Sequence, residues 1–239
     1  MMKIKFTLRY MAAMAACLAV TAMFASCTKN SNAFSNSDVS VIKAEYIEGF
    51  ENITQIKAYV AETQWSKHCI TEAFLKDNGF ELCLPSVLSA NYIRPVVNET
   101  MQGISISDLS AKWTHLGLEV ESKSLYYILV LDNSHCQSDG TATKEVVYIY
   151  ADRPVKLSGN NVRWEDNPRQ PWSSLLYPYK VEITTIYSNL ILVAGWNMVC
   201  LEKSLETISS DLRKVYFTYS NKDISDCEWK FIIHDFSGY

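Results

Sequence analysis

The clearest chemistry in this sequence belongs to a cysteine. Cys27 closes the run Phe24-Ala25-Ser26-Cys27, where small residues precede a thiol that can be lipidated. Lys3, Lys5 and Arg9 form a basic segment, and no acidic residue occurs before Asp38. Met11 to Phe24 is apolar but too short for a membrane span of ~20 residues. Basic segment, short apolar run, small residues and cysteine together predict a lipoprotein signal over residues 1–26, cut just before Cys27. Cys17 stands in a rival run, Met14-Ala15-Ala16-Cys17, but too little apolar length precedes it. An ordinary secretory signal with a chance cysteine, or a retained signal anchor, is the alternative. Each buried methylene contributes ~0.8 kcal/mol, so a few acyl chains on Cys27 would hold the chain to a bilayer almost permanently. Thr28 rather than Asp follows the cysteine, which by the usual sorting rule points to the outer membrane, inner or outer leaflet left open.

The second candidate is an aromatic patch with charged neighbours. Arg163-Trp164-Glu165-Asp166 is followed by Arg169, Trp172, Tyr177 and Tyr179, with Pro168, Pro171 and Pro178 between them. Prolines stiffen a loop, and a stiff aromatic loop can offer flat faces to sugar rings while carboxylates and guanidinium groups meet their hydroxyls. Trp164, Arg169, Trp172, Tyr177 and Tyr179 are therefore the expected ligand contacts. The competing expectation is that the tryptophans seal one end of a core. In Gly195-Trp196-Asn197 the structural role is expected outright, with Gly allowing a turn and Trp filling the core.

No nucleophile elbow, phosphate loop, H-E-x-x-H or C-x-x-C occurs, so no catalytic residue, metal ligand or cofactor is expected. Glu119 and Glu121 would share one strand face and could flank a glycosidic bond, but such pairs are common on solvated strands. Asp132 to Asp139 supplies oxygens without the glycine or late Glu of a calcium loop. His68-Cys69 and His135-Cys136 are adjacent pairs, whose side chains a strand sends to opposite faces. His115 and His234 have no second ligand near them in sequence. With Cys17 removed and Cys27 lipidated, Cys69, Cys83, Cys136, Cys200 and Cys227 remain, an odd set whose pairing stays open. Cys83 and Cys200 alternate with apolar neighbours and are expected to be buried and unreactive.

Those residues need a scaffold, and the pattern predicts strands. Residues 27–38 are Ser/Asn-rich and read as a tether. Residues 39–239 read as a single β-rich domain, with a sub-boundary near 98–104 left open. Ile42, Ala44 and Tyr46 alternate with polar residues, as do Ile56, Ala58 and Val60. Cys69–Leu75 and Phe80–Leu84 flank Asn78-Gly79 and predict a hairpin, with Cys69 opposite about Ser86 and Cys83 opposite about Glu72, which makes the two cysteines poor disulfide partners. Pro85–Val97 reads as a loop or helical turn. Strands are expected at Ile104–Ile106, Leu116–Val120 and Leu125–Leu131, with Glu145–Ala151 the partner of the last. Tyr126–Leu131 and Val146–Tyr150 are apolar on both faces, which suits the centre of a sandwich. Val181, Ile183, Thr185 and Tyr187 alternate, as do Cys227, Trp229, Phe231 and Ile233. Leu201, Leu205, Ile208 and Leu212 have helical spacing, so at most one or two short helices are expected. The fold class is all-β, an antiparallel β-sandwich of Ig-like or prealbumin-like form, with a β-barrel as the alternative.

Val41–Val60 with Glu48-Gly49-Phe50, Asn78–Pro85, Val146–Arg153, Gly195–Val199 and Glu228-Trp229-Lys230-Phe231 together resemble an uncharacterised family of lipoproteins from Gram-negative gut anaerobes. The first half also resembles the prealbumin-like or carboxypeptidase-regulatory sandwich, in which a G-F-x-L-x-L-P strand closes a sheet. Neither resemblance implies a catalytic residue. Loss of the signal takes the formal net charge from −4 to about −7, with no Lys/Arg block, which argues against nucleic acid. The expected function is a lipid-anchored binding or accessory module of the cell envelope, not an enzyme, whose partners are the membrane and a glycan or envelope protein. A structural or adhesin-type assembly subunit, or a barrel carrying a lipid, is the alternative.

Overall fold

The computed structural model describes residues 39–44, 53–61, 66–76, 79–97, 101–122, 127–132, 134–136, 142–166, 180–209, 212–224, 227 and 230–235. By backbone proximity the chain divides into Met1–Ser35 and Asn36–Tyr239, and every described residue belongs to the second unit. Cys27 therefore lies outside the described residues. The chain is all-β, with antiparallel sheets packed as a sandwich and no closed barrel among the described residues.

The strands in chain order are β1 (Val41–Ala44), β2 (Ile53–Ala61), β3 (Lys67–Phe74), β4 (Phe80–Cys83), β5 (Arg94–Pro95), β6 (Ile104–Ile106), β7 (Lys112–Ser122) and β8 (Tyr127–Asp132). They continue with β9 (Ser134–Cys136), β10 (Ala142–Ala151), β11 (Val155–Asp166), β12 (Lys180–Leu192), β13 (Gly195–Thr207), β14 (Leu212–Ser220) and β15 (Lys230–Asp235). The large sheet has eleven strands in the order β3-β2-β7-β10-β13-β14-β12-β11-β6, with β5 on β7 and β9 on β10. β1 pairs with β4 and β8 with β15 in separate ribbons. Between β4 and β5 the chain makes a short 3-10 turn, Ala90–Tyr92, capped by Ser89. Among the described residues no helix is long and apolar enough to cross a membrane.

Strand alternation builds two cores. On β7, Leu116, Leu118 and Val120 pack against a cluster containing Ile56, Ala58 and Val60 of β2, Phe80 and Leu82 of β4, and Trp196. Trp113 of β7 belongs instead to a cluster with Ile149, Leu157, Tyr187, Leu190 and Val199. Consecutive β10 residues divide between the two: Tyr148 and Tyr150 enter the first, Ile149 the second. This is why Val146–Tyr150 is apolar on both faces, each buried large side chain contributing roughly 1.5–3 kcal/mol.

β14 produces the least expected feature. It enters between β12 and β13, pairing in parallel with β12 from Lys180↔Leu212 to Tyr187↔Tyr219 and antiparallel with β13 from Cys200↔Ser220 to Thr207↔Arg213. β12 and β13 are joined by a tight turn, so the wedge forces them apart. Asn221, just past β14, extends it by one side chain: Ile191 N–H donates to Asn221 Oδ1 at 2.7 Å, and Asn221 Nδ2 donates to Ile191 O at 3.1 Å. Ser220 Oγ is buried with no partner at hydrogen-bonding geometry, the weakly polar Cys200 thiol being the group opposite. The turn itself is held by Asn197, whose amide donates to Val193 O at 2.9 Å, Gly195 O at 3.0 Å and Ile149 O at 3.3 Å, and accepts from Val193 N at 2.8 Å. Trp196 is fully buried beside it, so Gly195-Trp196-Asn197 is the expected corner.

Four expectations need correction. The helical spacing over Leu201–Leu212 belongs to β13, the turn after it and the start of β14: Leu201 and Leu205, four apart, fit a strand face as well as a helix face, Ile208 follows β13 and Leu212 opens β14. β10 pairs with β13 and β7, and the partner of β8 is β15. The buried run Tyr148–Ala151 demands covered faces and neighbours on both sides, which outweighs the sequence proximity of β8. The turn at Asn78-Gly79 is closed by paired Lys76 and Gly79, but its arms enter different sheets, β3 on β2 and β4 on β1. Cys69 therefore lies opposite Tyr59 and Cys83 opposite Val41, and both thiols are free.

The fourth correction is Cys83, which is exposed. Phe80 and Leu82 take the inward face of β4, leaving Cys83 outward with Glu81, whereas Cys200 is buried as expected. Burial also pushes the Cys200 thiol up, so less thiolate is present at neutral pH. In the native protein Cys83 should react with a thiol reagent at least 100-fold faster than Cys200. Mass-spectrometric mapping of brief alkylation checks this, and equal rates would contradict the assigned face of β4.

Candidate functional site

The wedge strand aligns side chains of three strands into a groove. The register runs Asn161↔Thr185↔Phe217 and Gly159↔Tyr187↔Tyr219 across β11, β12 and β14. Asn161, Arg163, Thr185, Tyr187, Phe217 and Tyr219 line a groove of about 290 Å³. Gly159 contributes no side chain opposite Tyr187, which leaves that end of the row unfilled on the β11 side. Asn161 Nδ2 donates to Gln102 O at 2.9 Å, which fixes its amide at the rim.

The aromatic floor continues into the second core. The Tyr187 and Tyr219 rings stack at 5.2 Å with planes 18° apart. Tyr219 lies 6.4 Å from the ring of His115, and Trp113 is 5.4 Å from His115 and 6.2 Å from Tyr187. His115 belongs to β7, three strands from β14 in the sheet order, so the coiling of the sheet closes this row. Such contacts add roughly 0.5–1.5 kcal/mol each beyond the buried area.

Charge is arranged around the floor, not in it. Burial pushes the Tyr187 and Tyr219 hydroxyls up, with the Glu145 carboxylate adding to the shift at Tyr219, so both stay neutral hydrogen-bonding groups. Glu145 is paired with Lys203 at 2.7 Å. Crowding by its neighbours holds the His115 imidazole below the ordinary histidine range, although part of the residue stays open to solvent. Arg163 reaches Glu165 at 3.3 Å, both half-exposed. An exposed pair of this kind contributes only ~0–1 kcal/mol, so a ligand can take the guanidinium at little cost.

The other sequence candidates fall elsewhere. Trp164 lies on β11, not in a loop, and strand alternation sends it to the face opposite Arg163, 59% exposed. Arg169, Trp172, Tyr177 and Tyr179 lie outside the described residues. Glu121 is matched by Lys57 of the neighbouring β2 and Glu119 by Lys67 of β3, one strand further out, which makes a charge ladder rather than two facing catalytic groups. His68 stacks on Tyr92 at 4.4 Å. Of the described residues of the sequence patch, Arg163 alone lines the groove. Thr185 and Tyr187 are on a strand whose alternation was legible, but Phe217 and Tyr219 join them only through the parallel β12–β14 pairing. No protein-family model, curated protein or solved structure matches the chain.

Proposed function

We propose that this chain is a binding module of the cell envelope, anchored by lipid on Cys27, and that the β11–β12–β14 groove takes a glycan. The observation that carries the ligand is one groove in which Phe217 and Tyr219 stand beside Arg163, Asn161 and Thr185, with the buried Tyr187 ring stacked on Tyr219 as its support. A pyranose has an apolar C–H face and a rim of hydroxyls. Aromatic rings suit the first, and guanidinium, amide and hydroxyl groups suit the second. The groove is preformed on strands, which reduces the ordering cost of binding. The signal pattern over residues 1–26, with Thr28 rather than Asp after Cys27, supports an outer-membrane address.

The experiment is a glycan array on residues 28–239, followed by titration of each hit against Tyr219→Ala and Phe217→Ala. Affinity should fall about tenfold or more in each, corresponding to ~1.4 kcal/mol. Trp164→Ala, on the other face of β11, should bind as the native protein does. Absence of any hit, or unchanged affinity in both groove variants, would remove the glycan reading. The anchor is tested separately: Cys27→Ala should stop acylation and move the protein from the membrane fraction to the soluble one. A mutant that is still acylated would place the lipid elsewhere.

A further inference from the structure

We propose that two copies of this chain pair antiparallel through the edge of β11 that no described strand covers, in register about Trp164. β6 covers β11 only from Leu157 to Gly159, and beyond that no described strand continues along its outer side. The peptide groups there have a readable direction. Lys156 N–H donates to Ser107 Oγ at 2.8 Å, and Lys156 O accepts from Ser107 N–H at 3.0 Å. The Asn160 carbonyl faces Gly103, its oxygen only 2.4 Å from where a Cβ would stand. Even-numbered residues of β11 thus aim their backbone away from β12, and the pairing with β12 stays regular to Asp166↔Lys180. The N–H and C=O groups of Val162 and Trp164 therefore point off the sheet.

Sheet edges are normally blunted by charged side chains, proline or a bulge. Val162-Arg163-Trp164-Glu165 has neither proline nor bulge, its two charges are of opposite sign, and all four residues are exposed. Val162 and Trp164, 48% and 59% exposed, form an apolar stripe on one face of the edge. The charges on the other face select the occupant. In an antiparallel pair centred on Trp164, Arg163 of each copy stands opposite Glu165 of the other, and the tryptophans face one another. A single-chain contact already shows that these two side chains reach each other, at 3.3 Å. Two-fold symmetry doubles every favourable contact, as self-complementary interfaces do. Trp164 then forms a pair that exchanges both backbone hydrogen bonds. So short an interface belongs to the weak class, with dissociation constants on the order of 10–500 μM. Arg163 also walls the groove, so a ligand that takes its guanidinium should weaken the pairing.

The test is sedimentation velocity of the full chain in detergent, with micelles in large excess, for the native sequence, R163E, E165R and the charge swap R163E/E165R. The native chain should dimerise with concentration. Each single change sets like charges opposite each other twice and should weaken the dimer at least tenfold, and the swap should restore it. Amide exchange of the native chain needs no variant: Val162 and Trp164 should become protected as concentration rises, while Arg163 and Glu165, whose amides face β12, should not change. A monomer at every concentration overturns the proposal. So does a dimer indifferent to the single changes, a swap that folds without restoring it, or protection that rises elsewhere and not at Val162 and Trp164.

Discussion

Replacing Trp196 with alanine should destabilise the domain by about 3–5 kcal/mol, the range for deleting a large aromatic side chain from a packed core. Trp196 is fully buried and meets Tyr150 edge-on at 5.3 Å. Its indole Nε1–H donates to Pro85 O at 2.9 Å, and its own carbonyl accepts from Val39 N–H at 3.2 Å. One side chain thus ties the segment after β4 to the corner between β12 and β13, next to the backbone contact that holds the start of β1. Alanine would open a cavity between the β1–β4 ribbon and the large sheet and leave the Pro85 carbonyl without its donor. For a domain of this size the melting temperature should fall by roughly 6–20 °C. Phenylalanine keeps most of the packing and loses the N–H, so it should cost clearly less. Trp164→Ala, on the exposed face of β11, should stay within about 0.5 kcal/mol. Urea unfolding of the three variants decides the matter, and a loss below about 1 kcal/mol for Trp196→Ala would show that the corner is not what fastens the ribbon.

The contrast between the two tryptophans shows what was legible in the sequence. Trp196 sits between a glycine and an asparagine, and that local pattern specifies a corner whatever surrounds it. Trp164 sits among charges and before prolines, which suggested a loop, yet alternation alone puts it and Arg163 on opposite faces of a strand. Cys83 illustrates the same limit: Glu81 two residues earlier marks its face as the outer one, while its apolar neighbours suggest the inner. Leu201 and Leu205 satisfy two periods at once, and only the tertiary pairing of β13 with β14 chooses between them. The strands themselves were legible because alternation is local. Their partners were not, since the parallel register that brings Phe217 beside Thr185 depends on a chain segment inserted between two strands that are consecutive in sequence. The groove is a product of that insertion.

The second large effect is expected where β6 meets β11. Gly159 has φ +117°, and a Cβ built on it would stand 2.4 Å from the Gly103 carbonyl oxygen. Gly103 has φ +84°, and its Cβ would stand 2.4 Å from the Asn160 carbonyl oxygen. Each glycine is thus pressed against the other strand's backbone, in a conformation an L side chain rarely adopts. Alanine at Gly159 must absorb backbone strain of about 1–3 kcal/mol and also push two backbones apart, so a loss of at least ~3 kcal/mol is expected. The displaced segment carries Asn161, which Gln102 holds across the same junction, and so the groove should loosen along with the fold. Gly117→Ala is the control. A Cβ there would meet only Tyr59 O at an ordinary 3.8 Å, and removing a glycine from a strand interior should gain about 0.5 kcal/mol. Because the two close glycines form one contact, Gly103→Ala combined with Gly159→Ala should cost less than the sum of the single changes. If Gly159→Ala unfolds at the same denaturant concentration as Gly117→Ala, the strands have room that this packing denies them, and the fixed rim of the groove would lose its physical basis.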